Sequence, residues 1–194
     1  MKVFGLTGGI GMGKSTAAQL LRARGVSVVD TDDLARELVL PGQPALEEVR
    51  ATFGDQMVGP DGQLLREELA RLVFADANAR RRLEAILHPR IRDRWRAQVE
   101  FWREEGRSPA VVVIPLLFET GAETELDAVI CVACTPGTQA ERLRARGWTG
   151  EEIKQRLAAQ MSTEEKLARA TYAVWTEGSL EVHAQQLERI LPRE

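Results

Sequence analysis

The chain of 194 residues has little of what several common chemistries require: it has two histidines, two cysteines and a single asparagine, Asn78. Guanine-specific GTPases use an Asn-Lys-x-Asp motif, and alanines flank Asn78 on both sides, so this motif is absent. No apolar run approaches the ~20 residues that a transmembrane helix needs. The first residues enter a glycine-rich stretch without the apolar region of a signal peptide. We therefore expect a cytoplasmic protein.

The charge balance bears on the kinds of partner that the protein binds. The 26 basic and 29 acidic residues give a net charge of -3, which argues against a protein that mainly binds nucleic acid. We expect no nucleic-acid or membrane partner, and a monomer or weak homo-oligomer. Arginine supplies 22 of the basic residues, which fits either a genome of biased base composition or a heat-adapted host.

The two cysteines, Cys131 and Cys134, have the C-x-x-C spacing of redox and zinc sites. They lie in a β-branched apolar run typical of a buried strand, where residues three apart point to opposite faces. No second pair of ligands stands nearby. We predict two packed core thiols and no disulfide.

The most informative stretch is LTGGIGMGKST, residues 6–16, in which Gly8-x-x-x-x-Gly13-Lys14-Ser15 has the spacing of a phosphate-binding loop. Its backbone N–H groups would point at phosphate oxygens, which Gly11 and Gly13 allow to approach closely. Lys14 would pair with the β- and γ-phosphates, and Ser15 would bind Mg²⁺. The alternative is a glycine-rich turn without a ligand, but an apolar strand before it and a helical pattern after it favour nucleoside triphosphate binding.

The rest of the chain predicts one α/β domain. Apolar runs predict strands at 3–6, 26–29, 110–114, 128–134 and 171–175. We expect strand 128–134 to be the parallel neighbour of strand 110–114. Helical spacing resumes after Lys14 and at 138–146 and 180–191, and Thr149-x-x-Glu152 predicts a capping box. The nucleotide-binding core would comprise about 1–40 and 108–194, with a strandless helical insertion at about 44–107 and a helical lid at about 142–166.

The reaction type depends on other residues. Strand 110–114 ends in Pro115 and not in the Asp-Glu of an ATPase motor. A small-molecule kinase needs a carboxylate beside the acceptor hydroxyl and cations over the transferred phosphate. Asp30 and Asp32 follow the second strand, where an extended backbone would place both on one face beside the phosphate loop. Asp32 or Asp33 could instead only cap the following helix.

Several arginines lie in the predicted lid: Arg142, Arg144, Arg146 and Arg156. Arg142 and Arg146 are four residues apart and would share one helix face. They could cover the phosphates of ATP. In a chain this rich in arginine, a solvated basic face is the simpler explanation for any one of them.

In order along nearly the whole chain, these motifs resemble the dephospho-coenzyme A kinase family. The residues that carry the resemblance are the loop 5–16, Val29-Asp-x-Asp-x-x-Ala-Arg36, Leu87-His-Pro89, Pro115-Leu-Leu-Phe-Glu119, Gln139-x-x-Arg-Leu-x-x-Arg146, Arg156, Gln160-Met161 and Glu165-Lys166.

The resemblance implies a P-loop kinase-like parallel sheet flanked by helices, with a helical substrate-binding insertion and a helical lid. It implies ATP-dependent phosphorylation of the ribose 3′-hydroxyl of dephospho-coenzyme A, the last step of coenzyme A synthesis, with Mg²⁺. Asp32, Lys14 and Arg142 would be catalytic. ATP would contact Arg142 and the loop residues Gly9, Gly11, Met12, Gly13, Lys14, Ser15 and Thr16. The acceptor site would comprise Thr7, Asp30, Asp32, His88, Leu117 and Glu119. The alternative is another small-molecule or nucleoside monophosphate kinase of the same fold.

Three positions depart from the family pattern. Met12 replaces a small loop residue. Since its backbone N–H can still bind phosphate, we expect little effect on nucleotide binding. Val113 stands where many relatives have an acidic residue, which bears on Mg²⁺ ligation. Thr171 and Thr176 replace an Asp and an Asn, which bears on adenine contacts.

Overall fold

The computed structural model describes residues 1–191; residues 192–194, the end of the predicted domain, lie outside the described part. Its strands are β1 (Val3–Thr7), β2 (Ser27–Asp30), β3 (Ala110–Val113), β4 (Ala128–Ala133) and β5 (Tyr172–Trp175). Its helices are α1 (Lys14–Arg22), α2 (Thr31–Leu38), α3 (Pro44–Phe53), α4 (Arg66–Ala75), α5 (Ala77–Glu104), α6 (Pro136–Arg144), α7 (Gly150–Ala158), α8 (Thr163–Arg169) and α9 (Leu180–Ile190).

The chain divides into two compact units, of which the first comprises Met1–Asp30 and the residues from Val99 onward. All five strands belong to it and form one parallel sheet in the order β2-β3-β1-β4-β5. The predicted parallel α/β architecture is confirmed. The prediction that β4 neighbours β3 is wrong, because β1 lies between them: Phe4 is in register with Val111 on one side and Ala128 on the other.

The central strands of the sheet are apolar except for Thr7 at the end of β1. Every residue of β1, β3 and β4 is buried, as expected of central parallel strands whose two faces are both covered by helices. Phe4, Leu6 and Ile130 are completely buried and pack with Ala17 and Leu21 of α1. This packing fixes the position of the carboxyl end of β1, from which the glycine loop starts.

The second unit, Thr31–Gln98, is helical. It contains α2, α3, α4 and most of α5, and its core is formed by Leu38, Val49, Phe53, Leu69 and Ile86. Among its residues, the only β-type pairing is an isolated bridge between Val58 and Leu64, so the expectation of a strandless middle region is confirmed.

Local signals determine where the later helices begin. Thr149 and Glu152 form the predicted capping box at α7, and Ser162 and Glu165 form a second one at α8. Helix α6 begins two residues earlier than predicted, since Thr135 accepts from the backbone N–H of Thr138 and Pro136 occupies the first turn. None of the helices described is both long and apolar enough to span a membrane.

Candidate active site

The glycine loop joins β1 to α1, and its conformation requires glycine at specific positions. Gly11 and Gly13 have φ angles of 76° and 94°, in the left-handed region. At Gly8, where φ is 147°, an added Cβ would lie 2.4 Å from the carbonyl oxygen of Val132. A side chain there would collide with the backbone of β4, so position 8 must be glycine for the loop to lie against the sheet.

The ammonium group of Lys14 folds over the loop that precedes it. Its Nζ donates to the carbonyl oxygens of Gly8 at 2.7 Å and of Gly9 at 3.0 Å. Lys14 is also the first residue of α1, so its charge lies at the positive end of the helix dipole. Ser15 and Thr16 follow in the same turn. The arrangement concentrates positive potential where the predicted phosphates would bind.

Four side chains from later parts of the chain brace this loop. Gln139 Nε2 donates to the carbonyl of Ile10 at 2.7 Å, and Gln160 Oε1 accepts from the N–H of Ile10 at 3.2 Å. Arg142 donates to the carbonyl of Gly11 at 3.4 Å, and the hydroxyl of Thr176 donates to the carbonyl of Met12 at 3.0 Å. The sequence assigned no bracing role to them, because its local patterns do not reveal contacts across more than 120 residues.

A pocket of about 170 Å³ opens beside the loop. Both Arg142 and Arg146 line it, although α6 ends at Arg144 and the predicted shared helix face is therefore incomplete. The other lining residues are Gly11, Gly13, Thr16, Thr176, Gly178, Ser179, Leu180 and His183. Arg156 lies elsewhere, with its guanidinium 4.2 Å from the ring centroid of Trp148.

The side chain of Met12, a residue of the loop, is buried and packs against Cys134. Its sulfur accepts from the backbone N–H of Cys134 at 3.2 Å and from the thiol at 3.4 Å. Cys131 is also buried, and loss of hydration raises the pKa of its thiol to about 11. Both cysteines are free, so the predicted core thiols without a disulfide are confirmed. Within the described residues, no cluster of three or more metal-ligating side chains occurs.

An ion pair between a completely buried ammonium and a partly exposed carboxylate lies beyond β3. Lys166 of α8 is completely buried, and its Nζ lies 2.8 Å from Glu119 Oε1. Lys166 also donates to the carbonyl of Pro115 at 3.0 Å, which accepts a second hydrogen bond from the hydroxyl of Thr7. Burial raises the pKa of Glu119, but hydrogen bonds from Lys166 and from the N–H of Met161 outweigh it and lower the pKa overall. Leu117, between Pro115 and Glu119, is buried.

The backbone positions of the two aspartates at the end of β2 differ from the prediction. Asp30 is the last residue of β2, opposite Val113, but Asp32 lies in the first turn of α2. The prediction of an extended backbone with both carboxylates on one strand face is wrong, because the helix begins at Thr31. Asp33 pairs with Arg36 at 3.0 Å, one turn along α2. Asp32 and His88, which is exposed on α5, belong to the second unit.

A parallel sheet whose first strand leads through a braced Gly-rich loop into a helix beginning Lys-Ser-Thr is the architecture of a P-loop nucleotide-binding protein. The comparisons with known proteins make the assignment specific. The dephospho-CoA kinase family model matches residues 2–181, and the chain belongs to that family.

Individual relatives agree with this assignment. A dephospho-CoA kinase of Anaeromyxobacter dehalogenans is 50% identical over 98% of this chain and 91% of its own length. A Thermus thermophilus protein named TT1252 superposes with a TM-score of 0.78 at 38% identity, over 97% of this chain and 95% of its own. A dephospho-CoA kinase of Campylobacter jejuni has a TM-score of 0.72 at 27% identity, over 98% of this chain and 96% of its own. The protein is an ATP-dependent kinase of this family.

Proposed function

We propose that the protein transfers the γ-phosphoryl group of ATP to the ribose 3′-hydroxyl of dephospho-coenzyme A, giving coenzyme A and ADP. The observation that carries the proposal is the glycine loop with Lys14 folded over it, braced by Arg142 and Thr176, in a chain of the dephospho-CoA kinase family. Such a loop supplies backbone donors for phosphates, and the family supplies the acceptor.

The loop residues would hold the phosphates of ATP. On binding, Lys14 would exchange the carbonyls of Gly8 and Gly9 for the β- and γ-phosphates. Arg142 would neutralise charge on the transferred group, since it already lies at the loop. The residues proposed to contact ATP are Gly9, Gly11, Met12, Gly13, Lys14, Ser15, Thr16 and Arg142.

The divalent metal is proposed to be Mg²⁺, carried by ATP. Mg²⁺ is usually bound by few protein ligands together with substrate phosphates and water, and the exposed hydroxyl of Ser15 in the first turn of α1 fits that mode. When bound, the ion would neutralise charge on the β- and γ-phosphates.

Asp32 is proposed to orient the 3′-hydroxyl and to accept its proton. The ribose oxygen would then form a bond to the γ-phosphorus while the bond to the bridging oxygen of ADP breaks. Asp32 lies two residues beyond the carboxyl end of β2, and in parallel α/β sheets ligands bind at the carboxyl edge.

The acceptor is proposed to be bound by Thr7, Asp30, Asp32, His88, Leu117 and Glu119. Thr7 and Glu119 both belong to the hydrogen-bonded group around the Pro115 carbonyl and Lys166, which fixes their positions before substrate arrives. The cytoplasmic location, the monomeric or weakly associating state and the absence of nucleic-acid or membrane partners stay predictions from the sequence.

The test is ADP release with ATP and Mg²⁺, with dephospho-coenzyme A as acceptor beside a panel of nucleoside monophosphates. We expect turnover with dephospho-coenzyme A and a product heavier by one phosphate. Turnover with a nucleoside monophosphate instead would contradict the proposed acceptor and, with it, the roles of His88, Leu117 and Glu119.

A further inference from the structure

His183 is a polar residue in an apolar position of α9. Its side chain is 3% exposed, and its neighbours on the buried face of the helix are Ala184 and Leu187. Leucine or isoleucine at this position would continue the apolar face. An imidazole here therefore has no packing advantage over an aliphatic side chain, and its polar nitrogen must be satisfied in some other way.

The ring nitrogen Nε2 of His183 has no hydrogen-bond partner among residues 1–191. Buried polar atoms in folded proteins almost always have one, and leaving a nitrogen unpaired costs stability. The same residue lines the pocket beside the phosphate loop, together with Gly13, Arg142 and Thr176. We therefore expect the missing hydrogen-bond partner of Nε2 to belong to the ligand that occupies this pocket.

The charge state of His183 narrows the kind of partner. Burial and then the positive charge of Arg142 lower the pKa of its imidazole from 6.5, which favours the neutral ring. A neutral ring has one N–H donor and one acceptor nitrogen, so it suits a partner that carries both donors and acceptors. The cations that line the same pocket, Arg142 and Arg146, are the groups there that suit phosphate.

We propose that Nε2 of His183 hydrogen-bonds with the heterocyclic base of the bound nucleotide and so contributes to selection of the base. This inference rests on the proposed function, because it takes ATP as the ligand whose phosphates occupy the loop. The base is the uncharged part of ATP that carries both hydrogen-bond donors and acceptors, and the pocket adjoins the loop through Gly11, Gly13 and Thr16.

The experiment compares the full-length wild type with His183→Leu and His183→Gln. Leucine removes the polar nitrogen, whereas glutamine keeps a neutral group that can donate or accept. Calorimetric dissociation constants are measured for ATP and for ribose 5′-triphosphate, which has the same phosphates and sugar but no base. Thermal unfolding of each free protein is recorded as a control for folding.

We expect His183→Leu to bind ATP roughly 5- to 15-fold more weakly, which is the loss of one hydrogen bond. His183→Gln should stay within about threefold of the wild type, and both variants should bind ribose 5′-triphosphate within about twofold of the wild type. The free His183→Leu protein should unfold at or above the wild-type temperature, because an unpaired buried nitrogen has been removed.

Two results would overturn the inference. One is unchanged ATP affinity in both variants, which would make His183 a packing residue. The other is an equal loss of affinity for ATP and for ribose 5′-triphosphate in His183→Leu, which would place the effect in the loop and not at the base. These measurements contain no acceptor, so failure of the wild type to phosphorylate dephospho-coenzyme A would refute the proposed function separately.

Discussion

Arg142 hydrogen-bonds to two groups of Thr176: one guanidinium nitrogen donates to the hydroxyl at 2.9 Å and the other to the carbonyl at 2.7 Å. The hydroxyl in turn donates to the carbonyl of Met12 in the phosphate loop. Helix α6, the segment after β5 and the loop after β1 are thereby joined in one hydrogen-bonded group. The orientation of the arginine proposed to cover the phosphates depends on a residue 34 positions later.

Replacing Thr176 tests this dependence. Thr176→Val removes the hydroxyl but keeps the carbonyl that also accepts from Arg142. We expect ATP affinity to fall by about 3- to 10-fold, which corresponds to the ~0.5–1.5 kcal/mol of a typical hydrogen bond. Calorimetric titration with ATP measures the change. Thr124→Val, which removes a hydroxyl bonded to the carbonyl of Gly121, is the matched control and should leave the affinity unchanged.

Asp32→Asn tests the proposed role of Asp32 in proton transfer. Asparagine has nearly the same shape but cannot accept the hydroxyl proton, so we expect kcat to fall by at least about 10²-fold. The dissociation constant for ATP should stay within about twofold, because the proposed ATP contacts lie in the loop. Asp33→Asn removes only the exposed pair with Arg36 and should keep most of the turnover. Equal loss of binding and turnover in Asp32→Asn would mean that its role is structural.

Glu119→Gln tests the ion pair with the buried Lys166. The variant leaves the ammonium of Lys166 completely buried without its countercharge. Breaking a fully buried pair costs about 3–5 kcal/mol, and the partial exposure of Glu119 reduces that cost. We expect the free energy of unfolding in urea at pH 7 to fall by about 1–3 kcal/mol. The control is Glu188→Gln, which breaks the exposed pair with Arg24 and should cost less than about 1 kcal/mol. A similar small loss in both variants would contradict the structural importance of the pair.

The same carboxylate predicts a pH dependence. The pKa of Glu119 is lowered in the folded protein from its usual 4.5, so the folded state favours the ionised form. Its contribution to stability is fully present above about pH 4.5 and is lost as the pH falls through the lowered pKa. The stability difference between the wild type and Glu119→Gln should therefore shrink when urea unfolding is repeated below pH 4.5. A difference that stays constant with pH would show that the carboxylate charge is not involved.

Two glutamines hydrogen-bond to the backbone of Ile10, one as an acceptor and the other as a donor. A matched pair of variants separates the effects of the two hydrogen bonds. Gln160 accepts from the N–H of Ile10, so Gln160→Glu keeps the acceptor. Gln139 donates to the carbonyl of Ile10, so Gln139→Glu places two acceptors against each other. Both variants add one negative charge near the loop. We expect Gln139→Glu to weaken ATP binding about tenfold more than Gln160→Glu in calorimetric titration. Equal weakening would mean that only the added charge matters.

The predictions that the structure confirms depend on local sequence patterns. The spacing from Gly8 to Ser15 is set by a backbone loop of a few residues, and the capping box of Thr149 and Glu152 needs only one helical turn. The apolar runs correctly predicted β1, β3 and β4, because central parallel strands are buried on both faces and are therefore apolar along most of their length. The error at Asp32 came from a boundary, since a strand and a helix meet there without a turn residue between them.

The sequence by itself thus determined the phosphate loop, the positions of the strands and the family to which the motifs point. Tertiary structure alone decided that β1 lies between β3 and β4, that Lys166 is buried against Glu119, and that Gln139, Gln160 and Thr176 hold the loop. Short-range patterns reflect backbone geometry and burial, which repeat along a few residues. Pairings between distant segments depend on which surfaces pack together, and a single sequence does not display that choice.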